Sequence, residues 1–130
     1  SNAIGGDCLN RLSGQEKAIA IANAMDDKKA EDIQILQMSD VMVETDFFVI
    51  CSCSSFPQMQ AVSQSVLDKM ELLSVPLRRR EGRHDNHWIL LDYGDVVAHI
   101  FLEPERQYYN LEKLWADAKR IPFTSTDKQQ

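Results

Sequence analysis

Apolar positions along the chain alternate between a helical period and a strand period, and the changes of period mark out eight elements. Ser13-Gly14-Gln15-Glu16 matches a capping box, with serine at the cap and glutamate three residues later. Ala18, Ile21, Ala22 and Met25 follow at helical spacing, which predicts a first helix over Gly14–Lys29. Asp26-Asp27-Lys28-Lys29 would close it with a cationic end favourable to the helix dipole. Ile33–Met38 reads as a strand, with Ile33 and Ile35 on one face and Leu36 and Met38 on the other. A polar connection, Ser39–Asp46, leads to Phe47–Cys53. That run is apolar on both faces, the pattern of a strand near the middle of a sheet. Ser54 and Ser55 offer a helix cap and Pro57 fits a first turn. Met59, Val62, Val66, Met70 and Leu73 then form one stripe of a second helix over Pro57–Ser74, which Pro76 prevents from continuing.

The second half is strand-like. Leu77–Glu81 predicts a short, mostly charged strand near an edge, and Gly82–Asn86 a polar turn. Trp88–Tyr93 and Val96–Leu102 are two strands joined around Gly94-Asp95, a composition suited to a tight hairpin. Pro104 stops the second strand. Leu111, Leu114, Trp115 and Ala118 make the stripe of a last short helix. The order helix, strand, strand, helix, strand, strand, strand, helix predicts an α/β or α+β domain with a single mixed β-sheet and flanking helices. Residues 4–12 show no period, and Ser1-Asn2-Ala3 reads as the remnant of a removed tag. The expected organisation is therefore a leader over 1–13, one domain over 14–120 and a polar, frayed tail over 121–130.

Composition narrows the class. A chain of 130 residues with 44% hydrophobic positions is one ordinary globular domain. No apolar run is long enough to span a bilayer and no signal-peptide pattern is present, so a soluble, cytoplasmic protein is expected, with no membrane partner. Three cysteines do not make a disulfide framework, and Cys51 and Cys53, two apart in a strand, read as small buried hydrophobes. The formal charge of −6 repels phosphate at long range, which argues against direct DNA binding and favours a basic protein partner. Arg78-Arg79-Arg80 and Arg83 are the local exception. They read as a solvated strand end, with contact to RNA or phosphate the lesser alternative.

Groups that could carry chemistry are few. The five glycines form no phosphate-binding loop. The Ser54-Ser55 turn could hold an anion, but capping explains it. His84 and His87 lack the further convergent ligands that zinc requires. His99 alternates with apolar Val97 and Phe101 and reads as a hydrogen-bonded, partly buried histidine rather than a general base. Asp92 and Asp95 flank the hairpin turn and could hold magnesium in a nucleotidyltransferase-like enzyme. Turn geometry accounts for both, and the partner carboxylate and glycine-serine motif of such enzymes are not present in full. What remains is recognition surface. Trp88 opens its strand directly after His87, and its spacing suits an interface and a core equally. Trp115 reads as helix-to-sheet core.

Several stretches together resemble the ribosomal silencing factor family, also called Iojap: Lys29–Ile33, Thr45–Ile50, Glu81-Gly82 ahead of Trp88, the Leu91–His99 hairpin, Glu103, Arg106, Tyr109 and Leu111–Trp115. The resemblance covers about Gln15–Ala118 in unbroken order. It implies a fold similar to nucleotidyltransferases without their active site, and a translation repressor with no cofactor. Such a protein would bind protein fourteen of the large ribosomal subunit and block subunit joining under nutrient limitation, and would form a homodimer when free. It also implies a partner-binding surface at Trp88, Asp92, Tyr93, Glu103, Arg106, Tyr108 and Tyr109. Two positions depart from the family pattern: Cys53 stands in place of a glycine, and Phe56-Pro57 replaces a more polar pair.

Overall fold

Helix α1 (Gly14–Asp27) begins where the capping box places it. The Glu16 backbone N–H donates to Ser13 Oγ at 3.0 Å, and the Ser13 N–H donates back to the Glu16 carboxylate at 2.9 Å. Ser13→Ala removes one half of this reciprocal pair and is expected to cost about 1 kcal/mol, read as a lower urea midpoint with an unchanged m-value. The helix ends earlier than its charge pattern suggests. Lys28 is the C-cap and Lys29 takes a left-handed conformation, φ 62°, so both cations lie past the last turn. Helix α2 (Phe56–Leu72) is capped by Ser55, whose Oγ accepts from the Gln58 N–H at 3.2 Å, and carries Pro57 in its first turn.

In this computed structural model the described residues are 12–83 (the Arg83 side chain excepted), 85–103, 116 and 118–125. Six strands form one sheet: β1 (Glu31–Gln37), β2 (Phe47–Cys53), β3 (Arg79–Arg83), β4 (Trp88–Asp92), β5 (Val96–Leu102) and β6 (Lys119–Ile121). Their spatial order is β3-β4-β5-β2-β1-β6. Only β2 and β5 run parallel; the other four pairings are antiparallel, so the sheet is mixed. The central position of β2 follows from its composition. Every residue from Phe47 to Cys53 is buried, as an apolar run on both faces requires.

The pleat sends alternate residues to two cores. On one face, Ile35, Val49, Cys51, Ile89, Leu91, Ala98 and Ile100 meet Ala18, Ile21 and Met25 of α1 and Met59, Val62, Val66 and Met70 of α2. On the other, Leu36, Met38, Phe48, Ile50, Leu90, Val97 and Phe101 form a second cluster with Met42 and Trp88 at its margin. Both described helices lie on the first face. Cys51 and Cys53 are buried there. No described helix is long and apolar enough to cross a membrane.

Several boundaries differ from the sequence reading; β1 starts two residues earlier than Ile33 and ends at Gln37, and β4 ends at Asp92. The charged edge strand is Arg79–Arg83, not Leu77–Glu81. Its register with β4 sets Arg83 opposite Trp88, and Asp85 and Asn86, in the turn described over 85–87, both have left-handed backbone. Strand β6 carried no signal, because only three residues, two of them exposed, pair with β1. The stretch expected to fray after Pro122 is tied down as far as it is described. Phe123 packs against the helix-side core, and Ser125 Oγ donates to the buried Asp26 carboxylate. At the other terminus Leu12, read as part of the leader, also packs there. Of the predicted last helix, Leu111, Leu114 and Trp115 fall outside the described residues, while Ala118 lies in a bend and is buried in the second core.

Candidate partner-binding face

The second face of the sheet carries the candidate site. Strand alternation brings Trp88, Leu90 and Asp92 of β4 to this side, with Val97, His99 and Phe101 of β5 and Phe48 of β2 beside them. Trp88 is half-buried, and its indole N–H donates to His99 Nδ1 at 3.1 Å. That bond leaves Nδ1 without a proton in the neutral ring and assigns the hydrogen to Nε2. The Trp88 ring lies 4.8 Å from Phe101 at a tilt of 33°. The His99 ring meets the edge of Phe48 at 4.5 Å. Trp88 is thus neither purely core nor purely surface. One side is locked by His99 and Phe101, and the remainder reaches solvent.

Below Trp88, a groove of about 640 Å³ runs across the same face. Phe48, Leu90, Val97 and His99 line it with apolar and aromatic surface, and Glu44, Thr45, Arg78, Arg79 and Asp92 supply its polar positions. Asp92 is held on two sides: Arg79 Nε donates to its Oδ2 at 3.2 Å, and the Gly94 N–H donates to its Oδ1 at 2.8 Å. Arg79 also meets Glu81 at 2.9 Å. With Arg79 largely exposed, these pairs position charge more than they stabilise the fold. Gly94 is required at the turn, since its φ of 94° disfavours any side chain.

The residues expected at a partner surface are dispersed. Trp88 and Asp92 share the face but sit at opposite ends of β4, about 13 Å apart at strand rise. Glu103 is exposed just beyond β5, and its N–H donates to the Cys53 carbonyl at 2.9 Å. It stands at the Trp88 end of the sheet, because Phe101 pairs with Trp88. Tyr93 does not join them. It is 5% exposed in the helix-side core, and its hydroxyl has no hydrogen-bond partner among the described residues. Burial pushes its pKa up to about 12, so it stays neutral. The physical reason is the pleat: Tyr93 follows Asp92 and takes the opposite side. Arg106, Tyr108 and Tyr109 lie outside the described residues.

The alternative carboxylate pair is divided between two roles. Asp92 is engaged by Arg79, and Asp95 meets Lys17 of α1 at 3.3 Å, tying the hairpin to the helix. No group of three or more His, Cys, Asp or Glu that could hold a metal ion occurs among the described residues. His84 lies outside them, and His87 packs against Phe56 at 5.2 Å. Sequence reasoning missed the contribution of the 39–46 connection, whose Met42, Glu44 and Thr45 wall the groove. It had no periodic signal to offer.

These features define a class: a single-sheet α+β domain whose second face is a supported aromatic corner opening into a charged groove. The chain matches the family described as ribosomal silencing factor during starvation over residues 12–130. It is 42% identical to the ribosomal silencing factor RsfS of Halalkalibacterium halodurans across 85% of this chain and 94% of that protein. It is 34% identical to the mouse mitochondrial assembly of ribosomal large subunit protein 1, over 68% of this chain and 40% of that protein. A crystal structure of a Chromobacterium violaceum protein superposes with a TM-score of 0.77 at 28% identity, covering 92% of this chain and all of the other. The chain belongs to the ribosomal silencing factor family, and a role in silencing ribosomes follows from that membership.

Proposed function

We propose that this protein represses translation by occupying the large ribosomal subunit at its protein fourteen and so obstructing joining of the small subunit. It acts by steric exclusion, without turnover or cofactor. The observation that carries this reading is Trp88, a large aromatic fixed by His99 and Phe101 yet part-exposed, on the same face as a groove that His99 lines. Aromatic anchors held in one conformation bind with little further loss of side-chain freedom. Asp92, Glu44 and Glu103 add acidic groups suited to a basic ribosomal protein, which chiefly speed encounter. Trp88, Asp92 and Glu103 are accordingly the described residues assigned to the contact, and Tyr93 is a core residue. Free protein is expected to be a homodimer.

The test is direct. Purified large subunits should sediment with the protein at physiological salt, and a molar excess should suppress the formation of joined ribosomes from isolated subunits. Unimpeded joining by bound protein would overturn the mechanism, and absence of binding would overturn the partner. The magnesium-dependent enzyme reading predicts thermal stabilisation by a nucleoside triphosphate with magnesium, and none is expected from separately engaged carboxylates.

A further inference from the structure

The arginine-rich strand β3 is unused by the protein-binding reading. It is an outer strand of the sheet in a chain of formal charge −6. The three consecutive arginines there, Arg78 just ahead of the strand and Arg79 and Arg80 within it, are not equivalent. Arg79 is compensated by Glu81 and Asp92 at 2.9 and 3.2 Å. Arg78 and Arg80 are exposed, and neither makes an ion pair among the described residues. Their backbone is nonetheless fixed. Arg80 pairs with Leu91 in the ladder, and the Arg78 N–H extends it by donating to the Asp92 carbonyl at 2.8 Å.

Guarding an outer strand against edge-to-edge pairing accounts for charge at this position. It does not account for its sign, or for two guanidinium groups left uncompensated beside a third in a protein rich in carboxylates. We infer that Arg78 and Arg80 grip the phosphate backbone of ribosomal RNA when the protein sits on the large subunit, an inference that rests on the ribosome-binding reading above. Guanidinium forks match phosphate oxygens in geometry and charge. Arg80, opposite Leu91, leans to the helix side of the sheet and Arg78 lines the groove on the other side, so the two guanidinium groups straddle the outer edge, along which the phosphates of one strand can run. Arg78 lines the groove at its Asp92 end, which sets the RNA contact beside the face assigned to the protein contact. The acidic remainder of the surface repels phosphate, so this fixed cationic edge orients the approach.

The experiment compares the full chain with an Arg78→Gln/Arg80→Gln variant on purified large subunits and on isolated ribosomal protein fourteen, across a salt series. On subunits the variant should lose roughly ten- to fiftyfold in affinity at low salt, and the slope of log K against log salt should fall by about 1.5. Arg80→Gln alone, outside the groove, should leave binding to the isolated protein unchanged while still lowering the slope on subunits, and Arg78→Lys/Arg80→Lys should retain most of the slope. Arginines this exposed should leave the melting temperature unaltered; should the double variant fail to fold, each single substitution carries about half the slope change. An unchanged slope overturns the inference. So does an equal loss on the isolated protein, which would make the strand a protein contact. If the wild-type chain binds subunits but not isolated protein fourteen, the partner reading fails while a salt slope dependent on these arginines still supports the RNA contact.

Discussion

Trp88→Ala is expected to lower affinity for the large ribosomal subunit at least thirtyfold, equivalent to about 2 kcal/mol. The indole supplies the largest part-exposed aromatic surface of the candidate face, and its orientation is fixed before any partner arrives. The same substitution also removes the 4.8 Å contact with Phe101 and the hydrogen bond to His99, so a stability loss of about 1 to 3 kcal/mol should accompany it. The two effects separate experimentally. Stability is read from urea unfolding of the free protein, and affinity from sedimentation with subunits at a temperature where the variant is folded. Trp88→Phe keeps a ring against Phe101 and deletes the N–H, and should fall between wild type and alanine in both measurements. A folded alanine variant with normal affinity would remove Trp88 from the contact.

Phe101→Ala should be the most damaging single change to the fold, at about 3 to 5 kcal/mol. Phe101 is on the inner strand β5 and is the largest fully buried side chain of the second core. Its loss leaves a cavity between Trp88 and His99, whose rings lie 4.8 and 6.3 Å away. For a domain of this size the change corresponds to a fall in melting temperature of about 10 °C or more. The supported conformation of Trp88 should go with it, so ribosome binding weakens even where the domain remains folded. A change below about 1 kcal/mol would show that the second core relaxes around the gap and that the aromatic corner is not a rigid unit.

Much of the architecture was readable because its signals are local. A capping box, a serine cap followed by proline and a helical stripe each involve residues within a few positions of one another. The structure places α1, α2, β2 and the β4–β5 hairpin close to where these signals put them. His99 was readable as a buried, hydrogen-bonded residue from its apolar neighbours two positions away. The candidate face was less legible. Trp88 could not be assigned to core or surface by spacing, because the answer depends on His99 and Phe101, which reach it only through the β4–β5 register. Tyr93 was grouped with Trp88 by proximity in sequence, yet one step along the pleat sends it into the opposite core. Strand β6 and Phe123 were missed because three residues and one aromatic in a polar stretch make no period.

By itself, then, the sequence determined the kinds of element, their order and the ends that carry their own caps, since these depend on interactions within a turn or a hairpin. Its combination of motifs also identified the family. Tertiary structure alone decided that β2 and β5 lie side by side in parallel, which joins residues nearly fifty positions apart in the chain. That pairing brings Phe48 against His99, the β4–β5 register sets His99 beneath Trp88, and the two together open the groove alongside. It also decided which arginines of β3 meet a carboxylate and which are left for a partner. Long-range pairing is settled by which faces can be buried together, and no local period records that choice.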